Sequence, residues 1–387
     1  MAGVDTTSDE RPEVAILIPV FGVGGAERVV AELLQGLPRE HYRLTLMTLA
    51  EKGLSLPLPA DVRVESIRAR RFMTALPKVI AIIRRRPPDL LCAHMTLANL
   101  WALVARAVTR RQFPVICVEH NMPTEEYSRE TRRRRALPTL MRALYRQADR
   151  LVTISDGARA DLAAVLRISE QQILVIRNPV LPPQLPELAA EAAPHPWFDD
   201  SSLRVVLAVG RLAPQKNYPL LLRAFATVAA ADERARLIVY GEGTLRDELD
   251  RLARTLGVEE RVAFPGIIAN PYAAMSRATV YAISSHYEGS PLSVIEALAC
   301  GARVVATDVG DIGDLLALAQ SGTVVAPGDE AAFARALMDA INRDSPPAIA
   351  VEALEPFRVA RGVQAYDELF AEVLGERLVK NRGSTTP

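Results

Sequence analysis

The stretch Val280-Tyr-Ala-Ile-Ser284, followed closely by Glu288-Gly-Ser-Pro-Leu-Ser-Val-Ile-Glu296, predicts a buried strand, a short loop and a helix. Ser290 belongs to the residue types that cap helix N-termini, and Pro291 suits the first helical position. Gly301 suits the position just after a last turn. We therefore predict a helix that begins at Pro291 and ends just before Gly301. The free backbone N–H groups at its start attract anions such as phosphate.

Two carboxylates belong to this predicted loop and helix. Glu288 lies in the loop, and Glu296 lies within the helix, between Val294-Ile295 and Ala297-Leu-Ala-Cys300. Because an unpaired buried carboxylate is costly, Glu296 needs a partner in so apolar a segment. A ligand with a diphosphate at the helix start, a ribose beside Glu296 and a hydroxyl-rich group near Glu288 fits this spacing. The alternative is a cap-region acid and a solvated helix residue, without a ligand.

Short apolar runs alternate with helical periodicity along most of the chain, which predicts parallel strands covered on both faces by helices. Strands are predicted at residues 14–18, 44–49, 62–67, 90–92, 115–118, 151–154 and 173–175, and again at 205–209, 236–240, 262–264, 280–283, 302–306 and 323–325. Helices are predicted up to residue 37 and at 72–86, 97–110, 131–148, 156–166, 217–230, 244–256, 270–277, 291–300, 311–319 and 329–342.

Proline-rich sequence separates the two sets of strands, in Leu181-Pro-Pro-Gln-Leu-Pro and Pro194-His-Pro-Trp, and predicts a linker. A chain of 387 residues also exceeds the size at which a single core stops growing. We therefore predict a disordered N-terminus at 1–12, an N-terminal Rossmann-like domain at 13–180, a linker at 181–203, a second Rossmann-like domain at 204–350 and C-terminal helices at 351–380.

Charge and cysteine content narrow the classes of protein. The 46 basic and 46 acidic residues balance, so no global field favours nucleic acid. Residues 1–195 hold 27 basic and 21 acidic side chains and the remainder 19 and 25, which gives +6 and −6. Cys92, Cys117 and Cys300 lack metal-ligand spacing and are predicted to be free thiols in a reducing compartment. We see neither an apolar run of ~18 residues nor a signal peptide.

Glycine loops follow several predicted strands, at the edge where open α/β sheets bind ligands. Gly24 and Gly25 open the first predicted helix, while Gly241 and Gly266 follow or end two later strands. Glycine lets a ligand approach the backbone closely. Simple turn glycines are the alternative interpretation.

Cations and histidines follow other strands. Arg211 and Lys216 come after the first strand of the second set, where both can reach a diphosphate. His94 and His120 end two successive strands of the first set, so they are predicted to face one cleft. Solvated surface cations and core histidines are the alternatives.

The segment Tyr287-Glu-Gly-Ser-Pro-Leu-Ser-Val-Ile-Glu-Ala-Leu-Ala-Cys-Gly301 resembles the Glu-x7-Glu signature of retaining glycosyltransferases of family 4. Gly24-Gly25-Ala-Glu27, Gly210-Arg211-Leu-Ala-Pro-Gln-Lys216 and Gly241-Glu-Gly243 resemble further motifs of that family. The resemblance covers most of the chain. It implies an α/β protein of the GT-B fold, in which two Rossmann-like doubly wound domains face an interdomain cleft and the last helix crosses back to the first domain.

The resemblance also implies a role for each candidate residue. In that family the second acid, here Glu296, grips the ribose hydroxyls, and the first acid, here Glu288, faces the donor sugar. The histidine that matches His120 hydrogen-bonds that sugar. In that family the loop that matches Gly24 and Gly25 faces the interdomain cleft beside donor and acceptor. The remaining implied contacts are with the nucleotide and its diphosphate, through Arg211, Lys216, Gly241, Gly266, Ser290, Pro291 and Leu292.

Three basic runs indicate a further surface in the first domain, at 68–71, 84–86 and 132–135. The second and third are flanked by apolar residues at helical spacing, and a basic amphipathic helix can lie on anionic membrane. A solvated cationic face is the alternative. Nucleic acid is not expected, because no aromatic residues interleave with these runs.

These features together predict a retaining glycosyltransferase that moves a hexosyl or N-acetylhexosaminyl group from a UDP-sugar. The expected acceptor is a lipid-linked saccharide or glycolipid, and the expected location is cytoplasmic, peripheral at the inner face of the membrane. No Asp-x-Asp motif is present, so we predict metal independence. The alternatives are a nucleotide-sugar epimerase or hydrolase of the same architecture and a catalytically inactive binding subunit.

Overall fold

A computed structural model describes residues 11–22, 24–50, 56–69, 74–124, 137–343 and 345–383. The chain divides into two compact units. Unit 1 comprises Met1–Arg177 and Ala360–Pro387, and unit 2 comprises Asn178–Val359. Residues 1–10 of the predicted disordered N-terminus at 1–12, residues 70–71 of the first basic run and the basic run at 132–135 lie outside the described residues.

Unit 1 is built on a seven-stranded parallel sheet in the order β3-β2-β1-β4-β5-β6-β7. Its strands are β1 Glu13–Ile18, β2 Arg43–Ala50, β3 Arg63–Ala69, β4 Leu90–His94, β5 Val115–Glu119, β6 Arg150–Thr153 and β7 Ile173–Val175. Its helices are α1 Gly25–Gly36, α2 Leu76–Arg85, α3 Thr96–Thr109, α4 Leu137–Leu144 and α5 Asp156–Leu166. Every residue of β1, β4 and β5 is buried, as expected for apolar strands covered on both faces.

Unit 2 repeats this plan with a six-stranded parallel sheet in the order β10-β9-β8-β11-β12-β13. Its strands are β8 Arg204–Val209, β9 Ala235–Tyr240, β10 Val262–Gly266, β11 Val280–Ile283, β12 Val304–Thr307 and β13 Thr323–Val325. Its helices are α6 Leu185–Ala190, α7 Tyr218–Ala231, α8 Arg246–Thr255, α9 Pro271–Arg277, α10 Leu292–Ala299, α11 Ile312–Leu318 and α12 Glu330–Ile341.

The order of strands reverses once in each sheet. In unit 1 Ile16 of β1 pairs with Leu46 of β2 on one side and with Cys92 of β4 on the other. In unit 2 Leu207 of β8 lies between Ile238 of β9 and Tyr281 of β11. Ligands of open α/β sheets bind at the carboxyl ends of the strands beside such a reversal. A ligand-binding site is therefore expected at the loops that follow β1, β4, β8 and β11.

The last helix, α13 at Val359–Gly383, packs on unit 1 over most of its length. Tyr366 and Phe370 on this helix are buried in that unit. The Tyr42 hydroxyl donates a hydrogen bond of 2.8 Å to the Asp367 carboxylate. Arg150 pairs with the carboxylates of Glu372 and Glu376, each at 2.6 Å. The terminal helix is thus held to unit 1 by both apolar burial and ion pairs.

The helix predicted at about 291–300 is present, but the prediction of Ser290 as its N-cap was wrong. Helix α10 begins at Leu292, Pro291 occupies the cap position, and Ser290 provides no side-chain cap. The Ser290 carbonyl accepts a hydrogen bond from the Leu292 N–H at 2.9 Å, so the chain makes a tight turn there first. The Pro291 carbonyl then accepts the first helical bond, from Val294, at 2.9 Å. The helix therefore starts one residue later than its proline indicated.

The predicted linker contains a helix, α6, that the sequence did not indicate. Tertiary hydrogen bonds explain it, because side chains of α9 and its cap satisfy the carbonyls at its end. The Asn270 amide donates to the Leu188 carbonyl at 2.8 Å, and the Ser276 hydroxyl donates to the Ala189 carbonyl at 2.8 Å. The proline-rich segment thus belongs in part to the packed body of unit 2.

Candidate active site

A partly buried ion pair lies at the carboxyl end of the unit 2 sheet. Lys216 follows β8 and Glu288 follows β11, and these two strands are neighbours at the reversal of strand order. The Lys216 Nζ atom lies 2.6 Å from Glu288 Oε1, and the two side chains are 19% and 6% exposed. Because Glu288 is buried and Lys216 is only partly exposed, the ion pair holds a cation at the edge of the sheet where ligands of this fold bind.

The Glu288 carboxylate is also oriented by its own loop. The Ser285 hydroxyl donates to Glu288 Oε1. The Thr307 hydroxyl at the end of β12 donates to the Ser285 carbonyl at 2.7 Å, which ties this loop to the next strand. Glu288 is therefore a buried and paired acid in the loop before α10.

The second carboxylate, Glu296, lies within α10 and is only 1% exposed. The Tyr272 hydroxyl at the start of α9 donates to Glu296 Oε1 at 3.1 Å. The alternative of a solvated helix residue is therefore wrong for Glu296. Two acids of one short segment are both withdrawn from water within unit 2, and a neutral hydroxyl contacts one of them while a lysine pairs with the other.

Close backbone packing explains the glycine after β9. Gly241 has φ +148°, and a Cβ atom there would lie 1.9 Å from the Gly210 carbonyl oxygen. Its N–H donates to the Gly266 carbonyl at 2.8 Å, and the Leu212 N–H donates to the Glu242 carbonyl at 3.0 Å. The three loops that follow β8, β9 and β10 are thus bonded into one backbone surface.

The remaining predicted residues of unit 2 border this surface. Arg211 is exposed, and its guanidinium has no hydrogen-bond or ion-pair partner among the residues that the structure describes. Ser290 and Leu292 are half-buried and Pro291 is buried at the start of α10. Arg211 is therefore an unpaired cation among the described residues, whereas Lys216 already forms an ion pair with Glu288.

Unit 1 carries a different group at the ends of β4 and β5. His94 Nδ1 lies 2.9 Å from His120 Nε2, and both rings are buried. Burial lowers the pKa of His120 to about 4 and holds the pKa of His94 well below its usual value, with the neighbouring His120 adding to the effect on His94. Both imidazoles are therefore neutral near pH 7. The structure brings the two sequence-predicted histidines into direct contact.

A buried carboxylate adjoins this pair. Glu119, directly before His120, accepts hydrogen bonds from the Thr96 hydroxyl at 2.9 Å, the Asn99 amide at 3.0 Å and the Tyr145 hydroxyl. These donors come from α3 and the turn after α4, so the network fixes the end of β5 against two other elements. Sequence reasoning did not single out Glu119, because its donors lie 20 or more residues away.

The predicted glycine loop after β1 opens α1. Gly24 occupies the cap position of that helix, and the Glu27 carboxylate lies beneath it, so a Cβ atom at Gly24 would lie 2.3 Å from Glu27 Oε2. Gly25 is exposed at the first helical position. The loop therefore presents bare backbone at the carboxyl end of β1, while Val23 lies outside the described residues.

The basic run on α2 is used within unit 1. Arg86 pairs with the buried Glu13 at 2.7 Å, and Arg85 lies 3.7 Å from Glu65. On the other side of the helix, Val79 and Ile83 are buried in the unit 1 core. The apolar side of α2 is thus occupied by protein, which favours the alternative of a solvated cationic face over an amphipathic membrane helix here.

The described ranges contain neither a metal-ligand cluster nor a membrane-spanning helix. No cluster of three histidine, cysteine, aspartate or glutamate side chains in those ranges has the arrangement of metal ligands. Nor does any helix there combine the length and apolarity that a membrane span requires.

Comparison with known proteins agrees with this architecture. The family model described as Glycosyltransferase Family 4 matches residues 23–182, and the model described as Glycosyl transferases group 1 matches residues 193–353. The N-acetylgalactosamine-N,N'-diacetylbacillosaminyl-diphospho-undecaprenol 4-alpha-N-acetylgalactosaminyltransferase of Campylobacter jejuni is 30% identical over 309 residues, which cover 76% of this chain and 80% of that protein. The 2-deoxystreptamine glucosyltransferase of Streptomyces kanamyceticus is 27% identical, with 84% and 87% covered.

Solved structures show the same fold. Anabaena HepE, solved in complex with UDP and glucose, superposes with a TM-score of 0.69 at 19% identity and covers 97% of this chain and 100% of its own. WaaG, a glycosyltransferase involved in lipopolysaccharide biosynthesis, has a TM-score of 0.70 at 17% identity, with 92% and 95% covered. The predicted α/β GT-B fold is confirmed, and the chain belongs to the family 4 type of glycosyltransferases.

Three hydroxyl-bearing side chains of unit 2 were not predicted from the sequence. Ser285 and Tyr272 contact the two acids directly. Tyr240, at the end of β9, is 2% exposed, and its hydroxyl has no hydrogen-bond partner among the described residues. Its position directly before Gly241 was the available signal, since the strand end was already a predicted ligand-binding edge.

Proposed function

We propose that the protein is a retaining glycosyltransferase that moves a hexosyl or N-acetylhexosaminyl group from a UDP-sugar to a lipid-linked saccharide or glycolipid. The observation that carries this proposal is the partly buried ion pair Lys216–Glu288 together with the buried Glu296, on the segments that follow β8 and β11 in unit 2. A charged ligand with hydroxyl groups would interact with each of these side chains, whereas packing of a hydrophobic core requires none of them.

In this proposal unit 2 binds the nucleotide. Glu296 accepts hydrogen bonds from the ribose hydroxyls, and Glu288 faces the transferred sugar. Gly241 and Gly266 bring backbone close to the base and ribose. The diphosphate lies at the start of α10, where the backbone of Ser290, Pro291 and Leu292 surrounds it. These residues orient the UDP-sugar mainly through hydrogen bonds, and each bond contributes about 1.5–3 kcal/mol when one partner is charged.

The chemical step relies on charge stabilisation rather than on a protein nucleophile. The acceptor hydroxyl attacks the anomeric carbon from the face that the diphosphate leaves, and the departing diphosphate oxygen takes the hydroxyl proton. Lys216, already held at this place, and the free guanidinium of Arg211 stabilise the negative charge that develops on the diphosphate. This sequence of events produces retention at the anomeric carbon.

Unit 1 contributes neutral groups. His120 hydrogen-bonds a hydroxyl of the donor sugar, and the backbone at Gly24 and Gly25 approaches the substrates. Burial lowers the pKa of His120 to about 4, so the imidazole is neutral near pH 7. A neutral imidazole can hydrogen-bond the sugar without attracting the diphosphate away from the cations that hold it.

The acceptor class follows the names of relatives. The Campylobacter jejuni enzyme, at 30% identity, acts on a saccharide joined through diphosphate to undecaprenol. We extend that class to this chain, with a cytoplasmic location at the inner face of an anionic membrane. Sedimentation with liposomes tests this part, and equal binding to neutral and anionic vesicles would contradict it.

Metal independence belongs to the same proposal, since Lys216 and Arg211 supply the charge that a divalent cation otherwise supplies. The expected result is that EDTA leaves the transfer rate unchanged within twofold. A rate that falls with EDTA and returns with Mg²⁺ or Mn²⁺ would show that the diphosphate needs a metal ion.

The main experiment measures transfer from a panel of radiolabelled UDP-sugars to a membrane lipid extract, with Glu296→Gln as the matched variant. We expect a labelled lipid product from one donor, and a rate at least tenfold lower for the variant. Donor consumption without a lipid product would indicate the epimerase or hydrolase alternative. Donor binding without turnover would indicate the inactive subunit. The anomeric configuration of the product, read by NMR, tests retention.

A further inference from the structure

Three buried side chains form a line in unit 1. Cys92 Sγ lies 3.4 Å from His94 Nε2, and His94 Nδ1 lies 2.9 Å from His120 Nε2. Cys92 and His94 are wholly buried, and His120 is 7% exposed. The ring of Tyr366 from α13 stacks on His94 with centroids 6.2 Å apart. Both nitrogens of His94 are therefore engaged, and its ring is held in place.

The two histidines constrain each other. At 2.9 Å one nitrogen must donate and the other must accept, because two neutral imidazoles share one proton in such a contact. Desolvation lowers the pKa of both rings, so neither becomes a second donor near pH 7. The tautomer of His120 is therefore set by which nitrogen of His94 carries the proton.

The thiol decides the direction. Burial raises the pKa of Cys92, so its sulfur keeps a proton. A neutral thiol is a poor acceptor, whereas an imidazole lone pair is a good one, so the S–H donates to His94 Nε2. His94 then carries its proton on Nδ1 and donates it to His120 Nε2. By elimination, the proton of His120 lies on Nδ1.

We propose that Cys92 and His94 are positioning residues that set the tautomer of His120, so that His120 presents Nδ1–H as a hydrogen-bond donor. Nδ1 of His120 has no partner among the residues that the structure describes, which leaves this donor for a ligand. The role toward substrate rests on the proposed function, in which His120 contacts a hydroxyl oxygen of the donor sugar. The tautomer itself is a property of unit 1 alone.

A spectroscopic experiment tests the tautomer without any activity. Two-bond ¹H–¹⁵N correlation spectra of the full-length protein with ¹⁵N-labelled histidine, recorded at pH 7.5, report which ring nitrogen carries the proton. The chain has five histidines, and His94→Asn and His120→Asn assign the two signals. We expect Nδ1–H at both positions. An Nε2–H signal at His120, as in most free histidines, would overturn the proposal.

Kinetics test the consequence. In Cys92→Ala the donor to His94 is gone, so we expect mixed His120 tautomers in the spectrum and a kcat about tenfold lower, with the KM for the UDP-sugar changed less than threefold. Cys92→Ser keeps a hydroxyl donor and should retain the Nδ1–H signal and most of kcat. Cys117→Ala removes an equally buried thiol from the adjacent strand and should leave both readouts unchanged.

The outcomes separate this inference from the proposed function. If the wild-type protein transfers no sugar but shows Nδ1–H at both histidines, the function fails and the tautomer assignment stands. If the wild-type protein transfers sugar and Cys92→Ala matches Cys117→Ala in both the spectrum and kcat, the positioning role of Cys92 is wrong.

Discussion

Units 1 and 2 each contain their own parallel sheet with one reversal of strand order. The side chains at the carboxyl ends of the two sheets nevertheless differ in charge. Unit 1 presents His94 and His120, a neutral pair in a buried hydrogen-bonded line. Unit 2 presents Lys216, Glu288 and Glu296, of which Lys216 and Glu288 form an ion pair. The same architecture thus supports a hydrogen-bonding surface in one unit and a charged one in the other.

The two units are therefore expected to lose folding stability under different conditions. A neutral buried histidine loses its pairing when it gains a proton, so unit 1 should depend on pH. A buried ion pair leaves an uncompensated charge when one partner is removed, so unit 2 should depend on keeping both partners. A diphosphate is bound by charged side chains such as those of unit 2, and sugar hydroxyls can be bound by neutral side chains such as those of unit 1.

The largest effect is expected from breaking the ion pair of unit 2. Lys216→Met leaves the buried Glu288 without its cation and should lower stability by about 3–5 kcal/mol and transfer by roughly 10³. Chemical denaturation and initial rates measure the two effects. The double variant Lys216→Met/Glu288→Met should regain most of the stability while remaining inactive. Recovered activity in the double variant would show that the pair serves packing alone.

An exposed pair of unit 2 provides the control for that experiment. Arg223 and Glu330 lie 2.8 Å apart, with side chains 42% and 45% exposed. Arg223→Met should change stability by less than about 1 kcal/mol and leave transfer unaltered.

The backbone surface of unit 2 gives the next effect. Gly241→Ala places a methyl group against the Gly210 carbonyl at φ +148°, so we expect a loss of more than about 3 kcal/mol. Gly257→Ala is the matched variant, because Gly257 also has positive φ, at +68°, but has open space around it. It should lose only about 1 kcal/mol. Equal losses in the two variants would show that close packing of the loops is unimportant.

The pH dependence of unit 1 should be somewhat smaller. The pKa of His120 is about 4 in the folded protein and 6.5 for the free group, so the unfolded chain binds more protons between these values. Stability is therefore full above pH 6.5 and falls as the pH drops toward 4, by about 3 kcal/mol. Hydrogen exchange of β4 and β5 follows this change. His120→Gln should reduce the slope and leave the part that comes from His94, whose pKa burial also lowers. An unchanged slope would assign it to other groups.

The smallest effect concerns a single hydroxyl of unit 2. Tyr240→Phe removes a buried hydroxyl that has no described partner, so stability should stay level or rise by about 1 kcal/mol. Tyr281→Phe, on the neighbouring part of the sheet, removes a hydroxyl that donates to the Val209 carbonyl at 3.4 Å and should lower stability. Thermal unfolding of the two variants should therefore shift in opposite directions, or Tyr240 alone should be silent.

Much of this fold was predictable because its strands are short, apolar and buried on both faces. Strand β11 was predicted at its observed bounds, and β1 and β8 to within one residue. Local rules failed where a tertiary contact or a tight turn decides the outcome. Helix α6 depends on side chains about 80 residues away, and α10 starts late because Ser290 and Leu292 close a turn first.

The candidate site was predictable by residue type and only partly by contact. Parallel strands bring their carboxyl ends to one edge, so Lys216, Glu288, His94 and His120 could be placed at the ends of their sheets. The partners Tyr272 and Ser285 could not, because hydroxyl groups leave no periodic signal in a sequence. Nor could spacing show that Cys92 lies in line with the two histidines.

The central claim is that Glu296 of unit 2 binds the ribose of a UDP-sugar. Isothermal titration of UDP into the wild-type protein and into Glu296→Gln tests it directly, since glutamine keeps the volume and can still accept a bond from Tyr272. The account predicts that UDP binds the wild type and binds the variant at least tenfold more weakly, with the unfolding temperature of the ligand-free variant nearly unchanged. Equal UDP affinity for both proteins would contradict it.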